Sequence, residues 1–226
     1  MDSKTRFQKM KQSLKHWNYW GEWNKQYELN EDIFQTIDSP EKAYWLGFIV
    51  ADGGIDQSQS GKLEIGLHIK DKKHLEKFQR FLQSNLPIAE YPNRKSPRAL
   101  IRVCRKKFVR SLVQYGIVPN KSKSIQFPNI SKTWYSDFIR GVFDGDGYMA
   151  TTEFRIYSGT KNFLQQIQKV LMDACNINKT KILHTGNKHY CTYSIKYGGR
   201  NVVKSIVDFL LQHPGPLLER KYGDWI

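Results

Sequence analysis

A chain of 226 residues that is 39% apolar and 25% charged can build one large domain or two half-domains of about a hundred residues each, and its composition excludes a disordered or low-complexity protein. Thirty-six Lys and Arg stand against twenty-one Asp and Glu, a formal charge of +15, and residues 41 to 226 carry the whole excess. The basic field therefore belongs to the folded body and calls for a polyanionic partner, nucleic acid first.

No apolar run reaches the roughly 18 residues of a membrane helix and no leader opens the chain, so a soluble, cytoplasmic protein without a membrane partner is expected. Three Cys without Cys-x-x-Cys spacing argue against disulfides and a zinc site. In chain order, Phe7, Met10, Leu14 and Trp17 recur at helical spacing and Trp17, Trp20 and Trp23 continue as an aromatic cluster. They predict an N-terminal extension, 1–38, docked on the body through its apolar stripe, with contact to DNA through its mixed basic and aromatic residues as the second reading. Ser39-Pro40-Glu41 is a helix start, with Ser as cap, Pro at the first position and an acid in the first turn. The helix should run over 40–52 and stop at Gly53-Gly54.

Leu63, Ile65, Leu67 and Ile69 alternate with Glu64, Gly66, His68 and Lys70, a half-buried strand. Asp71 should cap a helix pointing Leu75, Phe78 and Leu82 inward. Ala99, Ile101 and Val103 mark a later strand, and a helix over 106–115 ends at Gly116 with Pro119 beyond. The plan then repeats. Thr133 is placed to cap a helix ending at Asp146. Phe154 and Ile156 mark a strand, Phe163, Ile167, Val170 and Leu171 a helix, and Tyr193, Ile195 and Tyr197 a late strand. A last helix carries Val202, Val203, Ile206 and Phe209 and ends before Pro214. Each half, 39–128 and 129–226, reads helix, strand pair, helix, strand pair, helix: an α+β chain of duplicated αββαββα half-domains.

The duplication is sharpest in Trp45-Leu-Gly-Phe-Ile-Val-Ala-Asp-Gly and Ile139-Arg-Gly-Val-Phe-Asp-Gly-Asp-Gly. Without a gap, Gly47 falls on Gly141, Ala51 on Gly145, Asp52 on Asp146 and Gly53 on Gly147. Small residues four apart share one helix face and let a second backbone come close. Two such helices, packed together, would bring Asp52 and Asp146 to one end. Close carboxylates repel unless a cation lies between them, and hard oxygens without His or Cys suit Mg²⁺. Arg102 and Lys196 each follow their acid by fifty residues and are candidates for stabilising charge on a phosphate.

These motifs resemble the paired signatures of LAGLIDADG homing endonucleases in their single-chain, two-motif form, and the stretches Tyr115-Gly-Ile-Val-Pro-Asn-Lys-Ser-Lys and Leu217-Leu-Glu-Arg-Lys-Tyr-Gly-Asp-Trp are similar to the family too. The resemblance spans roughly residues 30 to 226. It implies pseudo-twofold symmetry, with two antiparallel four-stranded sheets forming a DNA-binding saddle. It further implies a monomer that cleaves both strands of a long DNA site with Mg²⁺, one Asp per strand. Asp52 and Asp146 become metal ligands and catalytic acids, Ala51 and Gly145 immediately before them join the metal site, and Lys196 matches the family's basic residue better than Arg102. Position six of the motif is Val50 in one copy and Asp144 in the other.

His68, Lys70, Arg155 and Ser194 on the polar strand faces are candidate DNA contacts, with Arg94, Lys95 and Arg98, then Lys181, Lys188 and His189, on loops. Asp144-Gly-Asp-Gly fails as a calcium loop, because Met149 and Arg155 stand where that loop needs Gly and Glu. The rival reading is a non-cleaving binder, an RNA maturase acting on intron RNA or a DNA-binding regulator. Two retained acids favour the nuclease.

Overall fold

A computed structural model describes residues 25–56, 61–186 and 191–226. The expected N-terminal helix and tryptophan cluster, and Lys188 and His189, lie outside the described residues. Helices α1 (Pro40–Asp52), α2 (Lys72–Phe81), α3 (Lys106–Val113), α4 (Tyr135–Asp146), α5 (Lys161–Cys175) and α6 (Arg200–Leu210) alternate with eight strands. The strands are β1 (Gly53–Ile55), β2 (Lys62–His68), β3 (Ile88–Tyr91), β4 (Arg98–Cys104), β5 (Gly147–Ala150), β6 (Glu153–Ser158), β7 (Leu183–Gly186) and β8 (Cys191–Gly198). They form two four-stranded sheets of the same plan, ordered β1-β2-β4-β3 and β5-β6-β8-β7. Among the described residues no helix is long and apolar enough to cross a membrane.

The chain groups into two compact units. One holds residues up to 33 together with 55–110, and the other holds 34–54 and 111–226. In the first unit β2 and β4 pair antiparallel with Glu64 opposite Arg102 and His68 opposite Arg98. Leu63, Ile65, Ala99, Ile101 and Val103 face inward, where Leu75 and Phe78 of α2 cover them. Asp71 stands at the start of α2 but its side chain makes no capping bond; His68 Nδ1 instead accepts from Lys70 N at 3.2 Å and shapes the turn.

The second unit contains both motif helices, with α1 packed along α4. The start of α1 is the expected one: Ser39 Oγ accepts from Lys42 N at 3.3 Å, with Pro40 at the first turn and Glu41 favouring the positive end. Tyr44, Trp45, Leu46, Phe48 and Ile49 are all fully buried, so α1 is apolar on every side, as an interior helix must be. Helix α4 begins later than expected: a 3₁₀ turn over Lys132–Trp134 precedes it, and Ser131 rather than Thr133 supplies the capping oxygen, to Thr133 N. In the second sheet Ile156 pairs with Ile195 and Arg155 with Lys196, and α5 and α6 cover the apolar face.

The far end of α4 is held by a buried polar cluster. Arg140, fully enclosed, donates to the Leu210 and His213 carbonyls at 2.8 Å and to Asp137 Oδ1 at 2.9 Å, while Asp137 Oδ2 meets His213 Nδ1 at 2.8 Å. A charge so enclosed needs such partners, which here meet both terminal nitrogens of the guanidinium while its Nε has none.

Candidate active site

Two glycines set how closely α1 and α4 approach. A Cβ on Gly47 would stand 2.0 Å from the Phe138 carbonyl oxygen and 3.0 Å from Val142 N; one on Gly141 would stand 2.0 Å from the Tyr44 carbonyl oxygen and 2.7 Å from Phe48 N. Both collisions are with main chain, which cannot swing aside. Tyr44 and Phe48 stand to Phe138 and Val142 as Gly47 stands to Gly141, 94 residues apart in each case, so this helix crossing is locally twofold.

One turn further along, a Cβ on Gly145 would meet Ala51 Cβ at 2.3 Å and Asp52 Oδ2 at 3.2 Å. The Asp52 carboxylate therefore lies against the residue that precedes Asp146. Small residues at 47, 51, 141 and 145 are what bring the two acids to one end of the helix pair. Asp146 keeps contact with solvent, yet the protein around it is dense enough that desolvation raises its pKa, with Lys121 and Lys221 opposing the shift. The carboxylate stays accessible from outside.

Two lysines stand beside the acids. Lys121 Nζ donates to the carbonyl of Gly53, the residue after Asp52. Lys221 Nζ donates to the carbonyl of Gly147, the residue after Asp146, at 2.8 Å, and to those of Gly145 and Phe143 at 3.0 and 3.1 Å. Each ammonium thus meets carbonyls where a helix ends, on the side the helix dipole makes negative. Burial lowers the pKa of both lysines, and the neighbouring acids counter it: Asp146 and Asp52 for Lys121, Asp144 and then Asp52 for Lys221. Sequence reasoning did not nominate either lysine. The available signal was a lysine in the turn after the last helix of each repeat, within the stretches around 115–123 and 217–225.

The basic residues nominated by the fifty-residue spacing sit elsewhere on the sheets. Lys196 Nζ pairs with Glu153 at 2.5 Å on the outward face of the second sheet, and Arg155 joins the same carboxylate at 2.7 Å. Arg102 Nε pairs with Glu64 at 2.8 Å in the first sheet, and Arg98 approaches the same Glu64 at 3.4 Å. One glutamate thus gathers two cations on each sheet. His68, Lys70, Arg94, Lys95 and Lys181 are exposed and Ser194 is buried; the Arg94 guanidinium lies over the Tyr91 ring at 4.9 Å.

The donor set suits a hard divalent cation. Among the described residues no group of three or more His, Cys, Asp or Glu converges, so a cation held by Asp52 and Asp146 would draw its remaining ligands from water and substrate oxygens, the habit of Mg²⁺. Gly145, nominated beside the metal, has its carbonyl engaged by Lys221, and Ala51 packs against Gly145 at the helix contact.

The profile of the LAGLIDADG-like domain matches residues 39–124 and 133–205. Among solved structures, the chain is similar to I-DmoI in complex with DNA and Ca, at 18% identity and a TM-score of 0.57, covering 86% of this chain and 97% of that one. It is similar also to a mesophilic variant of the homing endonuclease I-DmoI, at 16% identity and a TM-score of 0.55, covering 86% and 97%. Full-length DUF199/WhiA from Thermatoga maritima matches at 18% identity and a TM-score of 0.53, over 80% of this chain but 61% of its own. At these identities the likeness is one of fold. A sequence comparison with curated proteins finds no match.

Proposed function

Because the chain belongs to the family of LAGLIDADG-like domains, we propose that it is a site-specific DNA endonuclease that hydrolyses both strands of a long duplex target, one strand at Asp52 and the other at Asp146. The observation that carries the reading is the pair of acids at one end of two interlocked helices, each with a lysine on the carbonyl of the residue that follows it. A protein that only bound DNA would gain nothing from placing two carboxylates where phosphates must come.

When bound, Mg²⁺ would lower the pKa of a water and neutralise charge on the phosphoryl oxygens. Asp52 and Asp146 would hold it and orient that water. Attack forms a bond from the water oxygen to phosphorus as the bridging P–O bond opposite it breaks; the water gives up its proton to solvent, the departing sugar oxygen takes one up, and negative charge builds on the non-bridging oxygens. Lys121 and Lys221, held at the helix ends, would offset that charge without reorganising. Arg155, Lys196, Arg98 and Arg102 would serve the DNA from the outward faces of their sheets, and Lys70, Arg94, Lys95 and Lys181 would meet its backbone.

The fold accommodates the rival reading, a binder of DNA or intron RNA that does not cut, and one experiment separates the two. The full chain is incubated with Mg²⁺ and a plasmid library, beside Asp52→Asn and Asp146→Asn. The nuclease reading expects linear product from a subset of plasmids, lost in each variant while DNA binding by fluorescence anisotropy is retained. Cleavage persisting in both variants would mean that other residues do the chemistry, and binding without cleavage by the unaltered chain would favour the binder.

A further inference from the structure

We propose that Asp144 is a positioning residue that fixes Lys221 at the second acid, and that the first acid's lysine has no counterpart to it. The same turn carries each lysine. Lys121 N donates to the Val118 carbonyl at 3.1 Å and Lys221 N to the Leu218 carbonyl at 2.9 Å, and each ammonium reaches the glycine that follows its acid. Val118 and Leu218 open the two turns. What differs is how the second is tied down.

Leu218 N donates to Asp144 Oδ2 at 2.7 Å, and the Tyr44 hydroxyl donates to the same oxygen at 2.6 Å. Asp144 is 1% exposed, among the most deeply buried acids in the molecule, and the matched position on α1 is Val50. Burying a carboxylate is costly where a valine is tolerated by symmetry, so its retention calls for something that it holds. It holds the start of the turn 218–221, which lies in a segment with only single-turn helices to stiffen it. Through Tyr44 it also ties that turn to the opposite motif helix. Loss of this anchor frees the turn by its first residue and with it the three carbonyl contacts of Lys221 three residues on. Lys121, on a turn embedded in the chain between α3 and α4, would be untouched.

The catalytic consequence rests on the nuclease reading; the positioning does not. The test is acetylation of the full chain by acetic anhydride, followed at individual lysines by mass spectrometry, for the unaltered protein, Asp144→Val and Asp144→Asn. Lys121 and Lys221 should both label slowly beside exposed Lys181. Both variants remove the carboxylate charge beside Lys221 and so lower its pKa alike. Loss of the anchor is read as Lys221 labelling about tenfold faster or more in Asp144→Val than in Asp144→Asn, the opening expected from loss of a hydrogen bond to a charged group, with Lys121 unchanged in both. Asp144→Asn keeps an acceptor for Leu218 N and should give a smaller rise, again at Lys221 alone. Equal acceleration of both lysines would show a general loosening of the helix pair and overturn the proposal, as would an unchanged Lys221. If Asp144→Val does not melt cooperatively, the asparagine variant is read by the same criteria. On a cleavable plasmid, Asp144→Val should slow one strand only and accumulate nicked circles. An unaltered chain that does not cut would refute the nuclease reading and leave the labelling result standing.

Discussion

Replacing Gly47 or Gly141 by alanine tests the helix contact on which the site is built. In a helix interior this change ordinarily stabilises by about 1 kcal/mol, because glycine is the costlier residue to order. Here the added methyl group would begin 2.0 Å from a main-chain oxygen of the other helix, and methyl carbons in proteins do not approach closer than 3.0 Å. The helices must therefore part by about 1 Å, a gap that forfeits a quarter to a half of each dispersion contact along the seam.

Tyr44, Phe48 and Phe138 are fully buried in that seam, so the loss falls on large side chains. Overpacking of this kind costs about 1–3 kcal/mol and occasionally more, which outweighs the helix propensity gained. Urea denaturation monitored by circular dichroism should give a lower midpoint at an unchanged slope. With about 2–4 °C per kcal/mol for a chain of this size, the melting temperature should fall by several degrees. A variant as stable as the parent, or more stable, would mean that these glycines do not set the approach of the helices.

Other consequences are open to simpler assays. Arg140→Met should strand the Asp137 carboxylate in the interior and cost about 3–5 kcal/mol, a drop of roughly 10 °C in melting temperature, and Arg140→Met with Asp137→Leu should recover much of it; a single variant that melts with the parent would refute this. Lys121→Met and Lys221→Met should each slow cleavage of one strand about a hundredfold while DNA affinity stays within about threefold, as loss of a preorganised charge at the reacting phosphate requires; equal slowing of both strands by either would contradict one lysine per acid. If about ten phosphates are neutralised, the affinity for duplex DNA should fall with salt at a log–log slope near −9, and a slope shallower than about −3 would rule out a large DNA interface.

Much of this architecture is legible in the chain because its determinants are local or repeat at a constant offset. Ser39-Pro40-Glu41 and Gly53 bound α1 at the residues observed, since caps and stops act within a turn. Gly47 and Gly141 announce a close helix contact because only absent side chains permit one. Lys121 and Lys221 are hidden by contrast. They follow their acids at unequal distances in the chain, and what places them is the attraction of carbonyls at helix ends for an ammonium, a tertiary contact without a sequence period. The equal fifty-residue spacing to Arg102 and Lys196 reflects the repeated strand order and puts both on sheet faces, each paired with a glutamate. Asp144 reads as one more acid in an acidic motif. Its burial and its bond to Leu218 depend on a segment more than seventy residues away.

The most direct measurement is the anomalous scattering of Mn²⁺, substituted for Mg²⁺, in a crystal of the full chain with a cleavable duplex. Ions should be coordinated by the carboxylates of Asp52 and Asp146, at scissile phosphates that Lys121 and Lys221 also face. Ions bound by other side chains, with these two acids turned away from the phosphates, would contradict this.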